Sequence, residues 1–293
     1  MTSDRQTVVH GGHSTQRPLP LVLRGMRLLF SRIGPVLPGL MGRWAYRLWF
    51  RSRRFPESAT GKQASSRALR STLQVNGIPV AVYAWGQGPV VLFVHGWSGR
   101  GSQAAAFVEP LTGADYRVVA VDAPGHGNTP GDRTTLFECA AVLQAVAGEQ
   151  GPVYAAITHS FGGMVLAYAM RHGMAVERVV MISPPADLEF LLDSFAQLLK
   201  MPAAVRAVLS RKLEQRFDAD LMDRVSTVRN VSTLTVPALI LHDEDDASVP
   251  WQQGQRVATA WTGTRFIKTQ GLGHGRILRD PETLKAVVEF IKG

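Results

Sequence analysis

The chain has 293 residues, 45% of them hydrophobic, which is enough for one large domain or two small ones with a buried core. Its formal net charge of +9 comes from the first 75 residues, which hold 13 Lys/Arg and 2 Asp/Glu, whereas residues 76–293 hold 19 and 21. Because the body is near neutral and shows no nucleic-acid-binding motif, we expect no nucleic acid partner, and the single cysteine excludes an internal disulfide.

The N-terminal part divides into a polar tail and a basic, apolar segment. Residues 1–17 lack periodicity, which predicts a disordered tail. Residues 18–72 hold two arginine-rich apolar runs, separated by Pro/Gly pairs, and then a polar linker at 57–70. Neither run reaches the roughly 20 uninterrupted apolar residues of a membrane span, and neither resembles a secretory signal.

Two arrangements stay open for residues 19–55. They form either helices packed on the body of the protein or amphipathic helices in peripheral contact with an anionic membrane. We therefore expect a cytoplasmic protein, which in the second case lies at the inner face of the membrane.

The rest of the chain alternates apolar runs with helical patterns. Asn76-Gly77 between two apolar runs predicts a β-hairpin. Near-continuous apolar strands separated by helices then indicate an α/β fold with a mostly parallel sheet and helices on both faces. These strands are predicted at 90–94, 117–121, 153–157, 179–182, 238–241 and 265–268, before a closing helix at 281–291. The core thus comprises residues 73–183 and 235–293.

Residues 184–234 interrupt this core and are too long for an ordinary connection. Their helical patterns predict a small helical lid over the carboxyl ends of the strands, where such sheets carry their functional residues. The lid is rich in apolar side chains, and we expect Phe190, Phe195 and Leu199 to line a substrate pocket. Some apolar residues of the lid must instead form its own core.

Five polar segments lie where predicted strands end. They are residues 95–99 (His-Gly-Trp-Ser-Gly), 122–129 (Asp-Ala-Pro-Gly-His-Gly-Asn-Thr), 158–163 (Thr-His-Ser-Phe-Gly-Gly), 242–250 (His-Asp-Glu-Asp-Asp-Ala-Ser-Val-Pro) and 271–275 (Gly-Leu-Gly-His-Gly). In this order and spacing the sequence resembles the α/β-hydrolase family, and more closely its serine-nucleophile esterase and lipase members. The resemblance covers most of residues 73–293.

The resemblance implies a role for each of five residues. Ser160 would be the nucleophile on a sharp strand-to-helix turn, His274 its general base, and Asp246 the acid that orients the histidine. The backbone N–H groups of Trp97 and Phe161 would form the oxyanion hole. Since Phe161 opens a predicted helix, its N–H also lacks an intrahelical acceptor on physical grounds.

Several residues have competing interpretations. The acid is selected from a run of four consecutive carboxylates by its distance from Val249-Pro250, and Asp245 and Asp187 are the alternatives to Asp246. His95 either contacts substrate or has a structural role. Thr158 stands where the family usually has glycine, so we expect a crowded or strained turn there.

Other polar residues in these segments have structural explanations. We expect His159 to pack beside the turn rather than act as a base. Asp122 and His126 belong to a tight turn that the family uses structurally. A serine before two glycines is also compatible with a simple helix cap, although the accompanying segments favour a nucleophile.

The function implied by the resemblance is hydrolysis of a carboxylic ester through an acyl-enzyme, without metal or organic cofactor. The substrate would be a small ester with a hydrophobic acyl or alcohol part. Thioesterase, lysophospholipase or monoacylglycerol lipase, and acyltransferase activities stay open, as does a non-catalytic scaffold that binds a ligand or partner. Nothing in the sequence indicates an oligomeric state.

Overall fold

The sheet contains the eight strands expected of a mostly parallel α/β core. The structure is a computed structural model that describes residues 20–293, so the tail predicted at 1–17 lies outside the described residues. The strands lie in the order β1-β2-β4-β3-β5-β6-β7-β8. Their bounds are β1 (Leu69–Val75), β2 (Ile78–Trp85), β3 (Val90–Val94), β4 (Arg117–Val121), β5 (Val153–His159), β6 (Val176–Ile182), β7 (Ala238–Asp243) and β8 (Arg265–Thr269).

Strand directions follow from the connections between strands. The predicted hairpin joins β1 to β2, and its two turn residues, Asn76 and Gly77, both have positive φ as a tight hairpin requires. β2 also runs antiparallel to β4, whereas the pairs from β4 through β3 to β8 are parallel. Every residue of β3 and of β7 is buried, because helices cover both faces of the sheet.

Thirteen α-helices surround the sheet in the described part of the chain. They are α1 (Leu21–Ile33), α2 (Pro38–Trp49), α3 (Ala59–Ser66), α4 (Ala105–Thr112), α5 (Leu136–Gln150), α6 (Phe161–Arg171), α7 (Leu188–Leu199), α8 (Ala203–Phe217), α9 (Leu221–Arg224), α10 (Thr227–Val231), α11 (Trp251–Ala260), α12 (Gly273–Arg276) and α13 (Pro281–Lys292). Two buried apolar clusters result. One packs α5, α6, α11 and the lid against the sheet, and the other packs α4 and α13 against it.

The four helices α7 to α10 occupy the chain between β6 and β7, where the lid was predicted. Arg206 on α8 links the first two lid helices, because its guanidinium binds Glu189 and also Asp193, the latter at 2.7 Å. The lid therefore has internal contacts of its own.

Helices α1 and α2 pack on these lid helices. Phe30 and Ala45 are completely buried, and the rings of Phe30 and Trp44 stack with centroids 4.9 Å apart. Gly42 approaches α8 so closely that a Cβ at this position would lie 2.3 Å from Val208 Cγ1. One side of the N-terminal helices thus belongs to the body of the protein.

The segment before β1 is more ordered than a polar linker. It contains α3, whose first turn is capped by Ser58 Oγ accepting from the N–H of Gly61 at 3.1 Å. Trp85 Nε1–H donates to the carbonyl of Ala64 at 2.8 Å and holds α3 against the sheet. β1 begins at Leu69, inside the range 18–72 that the sequence assigned to the N-terminal helices and linker.

Candidate active site

Ser160 occupies a strained turn between β5 and α6. Its φ of 53° and ψ of −125° lie in a region that side chains other than glycine rarely adopt, at a cost of about 1–3 kcal/mol. The backbone is held there because Ser160 N–H donates to the carbonyl of Ile182 at 2.8 Å and the Ser160 carbonyl accepts from the N–H of Gly163 at 2.9 Å. This conformation sets the serine apart from both strand and helix, as a nucleophile requires.

Two glycines provide the space that the turn at Ser160 needs. A Cβ on Gly162 would lie 2.5 Å from the carbonyl oxygen of Val94, and one on Gly96 would lie 3.0 Å from Ser160 Cβ. Both glycines therefore permit the close approach of the first helical turn and the 95–99 loop.

Thr158 is accommodated without backbone strain. It pairs regularly within the sheet, and its hydroxyl donates to the carbonyl of Val180 at 3.4 Å. The space for its branched side chain comes from Gly163, where a Cβ would be 3.3 Å from Thr158 Oγ1. The unusual backbone of the turn is therefore at Ser160, not at Thr158.

The predicted acid and base form a direct pair. His274 Nδ1–H donates to Asp246 Oδ2 at 2.7 Å, and the other carboxylate oxygen accepts from the N–H groups of Ser248 and Val249, both at 2.9 Å. The Asp246 side chain is fully buried, whereas that of His274 is 24% exposed. This arrangement leaves Nε2 of His274 as the basic nitrogen.

Asp246 stays ionised in this environment. Burial alone would raise its pKa, but hydrogen bonds from His242, His274 and the Val249 N–H hold the pKa of Asp246 below its usual range. His242 Nε2 lies 3.5 Å from Asp246 Oδ2 and donates to the carbonyl of Val249 at 2.7 Å. The carboxylate is therefore able to stabilise a positive charge on His274.

The two alternative acids have other partners. Asp245 is exposed and accepts from the N–H of Gly271 at 2.8 Å. Asp187 caps α7 by accepting from the N–H of Phe190 at 2.8 Å and pairs with Arg256 at 2.6 Å. Neither carboxylate contacts His274.

Asp243 supports the histidine loop, a role that the sequence analysis missed. Its carboxylate accepts from the N–H groups of Gly273 and Leu272 at 2.7 and 3.1 Å and from the hydroxyl of Thr269 at 2.7 Å. Although burial opposes it, these hydrogen bonds lower the pKa of Asp243. The available signal was a carboxylate two residues after the predicted apolar strand at 238–241.

His159 connects the serine turn to the histidine loop. Its Nε2–H donates to the backbone carbonyl of His274 at 2.9 Å, and the two rings lie 4.6 Å apart. Burial, with His274 nearby, lowers the pKa of His159 to about 3, so its ring is neutral at physiological pH. No hydrogen bond joins Ser160 to His274 within residues 20–293, and such catalytic contacts commonly tighten only when substrate binds.

Two backbone N–H groups in segments that adjoin Ser160 are unpaired among the described residues. The N–H groups of Trp97 and Phe161 have no hydrogen-bond acceptor in the described part of the chain. The rings of these residues meet edge to face with centroids 5.2 Å apart. Unpaired N–H groups beside a nucleophile are what an oxyanion hole needs.

His95 is buried behind this loop, not at its surface. Its Nδ1–H donates to the carbonyl of Gly96 at 2.7 Å, and its Nε2 accepts from the N–H of Ala123 at 3.1 Å. Burial lowers the pKa of His95 to about 4. Both ring nitrogens are thus used in tying the loop to the next strand end.

The 122–129 turn is structural, as expected. Asp122 accepts from the N–H groups of Gly101 and Asn128, both at 2.7 Å, and from the hydroxyl of Tyr83 at 2.9 Å. Burial and the Asp122 charge raise the pKa of Tyr83 to about 12. His126 Nε2 accepts from the N–H of Ser98 at 2.9 Å and so holds the oxyanion loop.

An apolar cavity of about 310 Å³ adjoins Ser160. Its walls come from the end of α2, the start of α5, α6, and the lid helices. The apolar and aromatic side chains among its lining residues are Leu48, Trp49, Phe50, Trp97, Leu136, Phe137, Phe161, Met164, Leu188, Leu191, Phe195, Leu198, Leu213, Phe217, Leu221 and Val225. Such a lining suits an apolar ligand.

The cavity differs from the predicted pocket in its membership. Phe195 lines it and contacts Trp49 edge to face at 5.3 Å, but Phe190, Leu199 and His95 lie outside the lining. Leu199 is only 2% exposed and belongs to the apolar core. The wall from α2 was missed because no sequence pattern fixes where an N-terminal helix docks.

A second groove, of about 620 Å³ and with a mixed polar and apolar lining, borders His274. Its lining includes Ser98, Arg100, Asp245 and Arg276. Arg100 is already paired with Glu57 at 3.5 Å. No cluster of three metal-ligating side chains occurs within residues 20–293.

Comparisons with known proteins agree with this architecture. Lysophosphatidylserine lipase ABHD12 of Macaca fascicularis is 26% identical over 227 residues, 69% of this chain and 55% of the relative, so the chain spans about half the length of that protein. Pimeloyl-[acyl-carrier protein] methyl ester esterase of Neisseria meningitidis is 23% identical, over 69% of this chain and 93% of the relative.

A solved structure of a membrane phospholipase A shares the fold with a TM-score of 0.60 and 20% identity, covering 93% of this chain and 98% of the other. Residues 91–287 match the Alpha/beta hydrolase family. The curated relatives are named as enzymes that act on esters, and the match takes in the serine turn, the acid and the histidine. The chain therefore belongs to the alpha/beta hydrolase family.

Proposed function

We propose that the protein is a serine hydrolase that cleaves a carboxylic ester with an apolar acyl chain through an acyl-enzyme on Ser160. The observation that carries this proposal is the position of Ser160, on a strained turn that opens into an apolar cavity beside two unpaired N–H donors. The Asp246–His274 pair supplies a base of the required kind.

The chemistry proceeds in two halves. In the first, His274 Nε2 takes the proton of Ser160 Oγ as this oxygen attacks the ester carbonyl carbon, and the resulting oxyanion accepts hydrogen bonds from Trp97 and Phe161. The C–O bond to the alcohol then breaks, and His274 donates its proton to the leaving oxygen. In the second half, His274 deprotonates a water molecule that attacks the acyl carbon, and Ser160 leaves with the proton.

The two cavities divide the substrate between them. The acyl chain fits the apolar cavity, since that cavity contains Ser160 and is lined mainly by apolar side chains. The alcohol has to lie near the group that protonates it, and the groove beside His274 is more polar than the cavity beside Ser160. We therefore propose an ester of an apolar acid with a polar alcohol, a class that includes lysophospholipids and monoacylglycerols.

The first test is covalent labelling. A fluorophosphonate probe should label the wild-type protein and fail to label Ser160→Ala, whereas Ser183→Ala should label normally. Unchanged labelling of Ser160→Ala would reject the nucleophile. Absence of labelling in folded wild-type protein would favour a non-catalytic scaffold.

The second test concerns the acyl chain. Among p-nitrophenyl esters from acetate to palmitate we expect a preference for medium or long chains, and Ser194→Phe, which fills the cavity wall, should shift it to shorter ones. Gln197→Phe on the exposed side of the same helix is the matched control. A strict preference for acetate in the wild type contradicts the proposal, and faster cleavage of an acyl thioester than of the matching ester would make the protein a thioesterase.

A further inference from the structure

We propose that α1, the turn after it and α2 form a docking surface for an anionic phospholipid membrane. This surface consists of seven exposed apolar side chains, and we call it the N-terminal apolar face. Its members are Leu21, Val22, Leu28, Leu29, Val36, Leu37 and Leu40. The proposal concerns binding and is independent of the proposed reaction.

The exposure of these residues is unusual for this molecule. The N-terminal apolar face holds seven of the ten large hydrophobic side chains that are exposed within residues 20–293. Leu21 is 81% exposed, Val36 77% and Leu40 59%. Contiguous apolar surface of this kind typically marks a site of interaction with protein or membrane.

Helix α1 is apolar on both sides. Leu23 and Phe30 are buried against the lid, whereas Leu21 and Leu28 lie on the opposite side of the helix at a spacing of seven residues. A helix that packs on a protein through one side normally presents polar residues on the other. The exposed side of α1 therefore needs a second apolar environment.

The positive charges around this face favour an anionic partner. Residues 20–56 contain eight arginines and no Asp or Glu. Four of these arginines, Arg24, Arg32, Arg43 and Arg47, are exposed and pair with no carboxylate of residues 20–293. On an anionic membrane the exposed leucines would enter the acyl boundary, and the arginines would pair with the lipid phosphates. Such a membrane therefore suits both the apolar and the charged side chains of this face.

A second copy of the chain fits this surface less well. In a symmetric dimer the same face would meet itself, so the unpaired arginines of both copies would approach one another. An anionic lipid surface instead attracts each Lys/Arg and imposes no such repulsion. No described helix is both long and apolar enough to cross a membrane, so contact through this face would be interfacial.

The docking surface is physically joined to the candidate active site. Helix α2 begins next to Leu40 on the exposed face, and residues at its other end, Leu48 and Trp49, line the apolar cavity. A lipid-bound molecule would thus hold one wall of its acyl cavity close to the bilayer. Only this link to the cavity rests on the proposed function.

The test is co-sedimentation of the full-length protein with vesicles. We expect binding to phosphatidylcholine vesicles that contain phosphatidylglycerol, and weaker binding to phosphatidylcholine alone or at high salt. The double variant Leu28→Gln/Leu40→Gln should lower binding at least about tenfold, because two leucines no longer enter the apolar layer. Leu69→Gln, which changes a 70% exposed leucine at the edge strand β1, should bind normally.

A charge variant tests the same face independently. Arg43→Gln/Arg47→Gln, which removes two of the four unpaired arginines, should weaken the preference for anionic vesicles, whereas Arg265→Gln, an exposed arginine on β8, should keep it unchanged. All substituted side chains are exposed, and unchanged melting temperatures confirm that the variants fold.

Two results would overturn the proposal. One is failure of the wild type to bind anionic vesicles, or equal binding by the wild type and both double variants. The other is a dimer, detected by sedimentation velocity without lipid, that Leu28→Gln/Leu40→Gln converts to monomer, since this assigns the face to a second copy.

Discussion

Replacement of Asp246 by asparagine tests whether Asp246, and not Asp245 or Asp187, is the acid that orients His274. The Oδ1 of an asparagine can still accept from the N–H groups of Ser248 and Val249, so the turn that contains residue 246 is retained. The amide NH2 then faces His274 Nδ1, from which the carboxylate of the wild type accepts a hydrogen bond at 2.7 Å. It also lies near Nε2–H of His242, which keeps its hydrogen bond to the carbonyl of Val249.

The consequence for His274 is a change of tautomer. With an amide donor at Nδ1, the ring has to carry its proton on Nε2, and this nitrogen can no longer accept a proton from Ser160. The buried negative charge that stabilises the imidazolium is lost as well. Asparagine at this position of a Ser-His-Asp triad lowers kcat about 10⁴-fold, which corresponds to about 5.5 kcal/mol in the barrier.

The assay compares three asparagine variants on one p-nitrophenyl ester. Asp245→Asn should stay within about twofold of wild type, because Asp245 is exposed and its contact to Gly271 N–H survives in an amide. Asp187→Asn should keep its helix cap and lose only an ion pair to a half-exposed Arg256. If the Asp246 variant turns over at nearly the wild-type rate, or if Asp187→Asn shows the large loss, the assignment of the acid is refuted.

Two further predictions follow from the buried polar groups. The pKa values of His95, His126 and His159 are lowered by burial to about 4, 4 and 3. Because these folded-state values lie below about 6.5, the stability they contribute is complete above pH 6.5 and is lost as the pH falls towards 4. Urea unfolding should therefore give about 2 kcal/mol less stability per histidine at pH 5 than at pH 7.5, and equal free energies of unfolding at both pH values would contradict this prediction. Asp243→Asn should lower kcat by about 10- to 100-fold, because one amide oxygen cannot accept from all the donors that hold the His274 loop. Glu244→Gln, at the exposed residue that follows Asp243, is its control, and equal turnover by the two variants would exclude a positioning role for Asp243.

The sequence was sufficient for the fold because the sheet has a strong signal. Strands β3 to β7 are buried on both faces, and a continuous apolar run between turn residues is a local property of the chain. The short motifs at the strand ends then locate the site, since parallel strands bring their carboxyl ends to one edge. This is why Ser160, Asp246 and His274 were predicted to act together although they are far apart in the sequence.

The sequence was less informative where tertiary packing determines the position of a side chain. Phe190 and Phe195 look equivalent in the sequence, but only Phe195 lines the cavity. The hydrogen bond of His95 with Ala123 is a tertiary contact, and no pattern distinguishes a histidine that holds a loop from one that contacts substrate. Thr158 departs from the usual glycine, and its accommodation depends on Gly163 on the adjacent helix.

Substrate selectivity in this protein is expected to depend on parts that lie outside the shared core. The 95–99 loop, serine turn and histidine loop all fall within the family match at 91–287, and the chemistry proposed for them is common to many substrates. The cavity walls formed by Leu48 and Trp49 come from α2, and the wall formed by Phe50 directly follows it, so all three precede that match. Because α2 also carries part of the exposed N-terminal apolar face, a change in this one helix alters both the acyl cavity and the surface from which a hydrophobic substrate would enter. Substitutions in α2 should therefore change which esters are cleaved while leaving fluorophosphonate labelling of Ser160 intact.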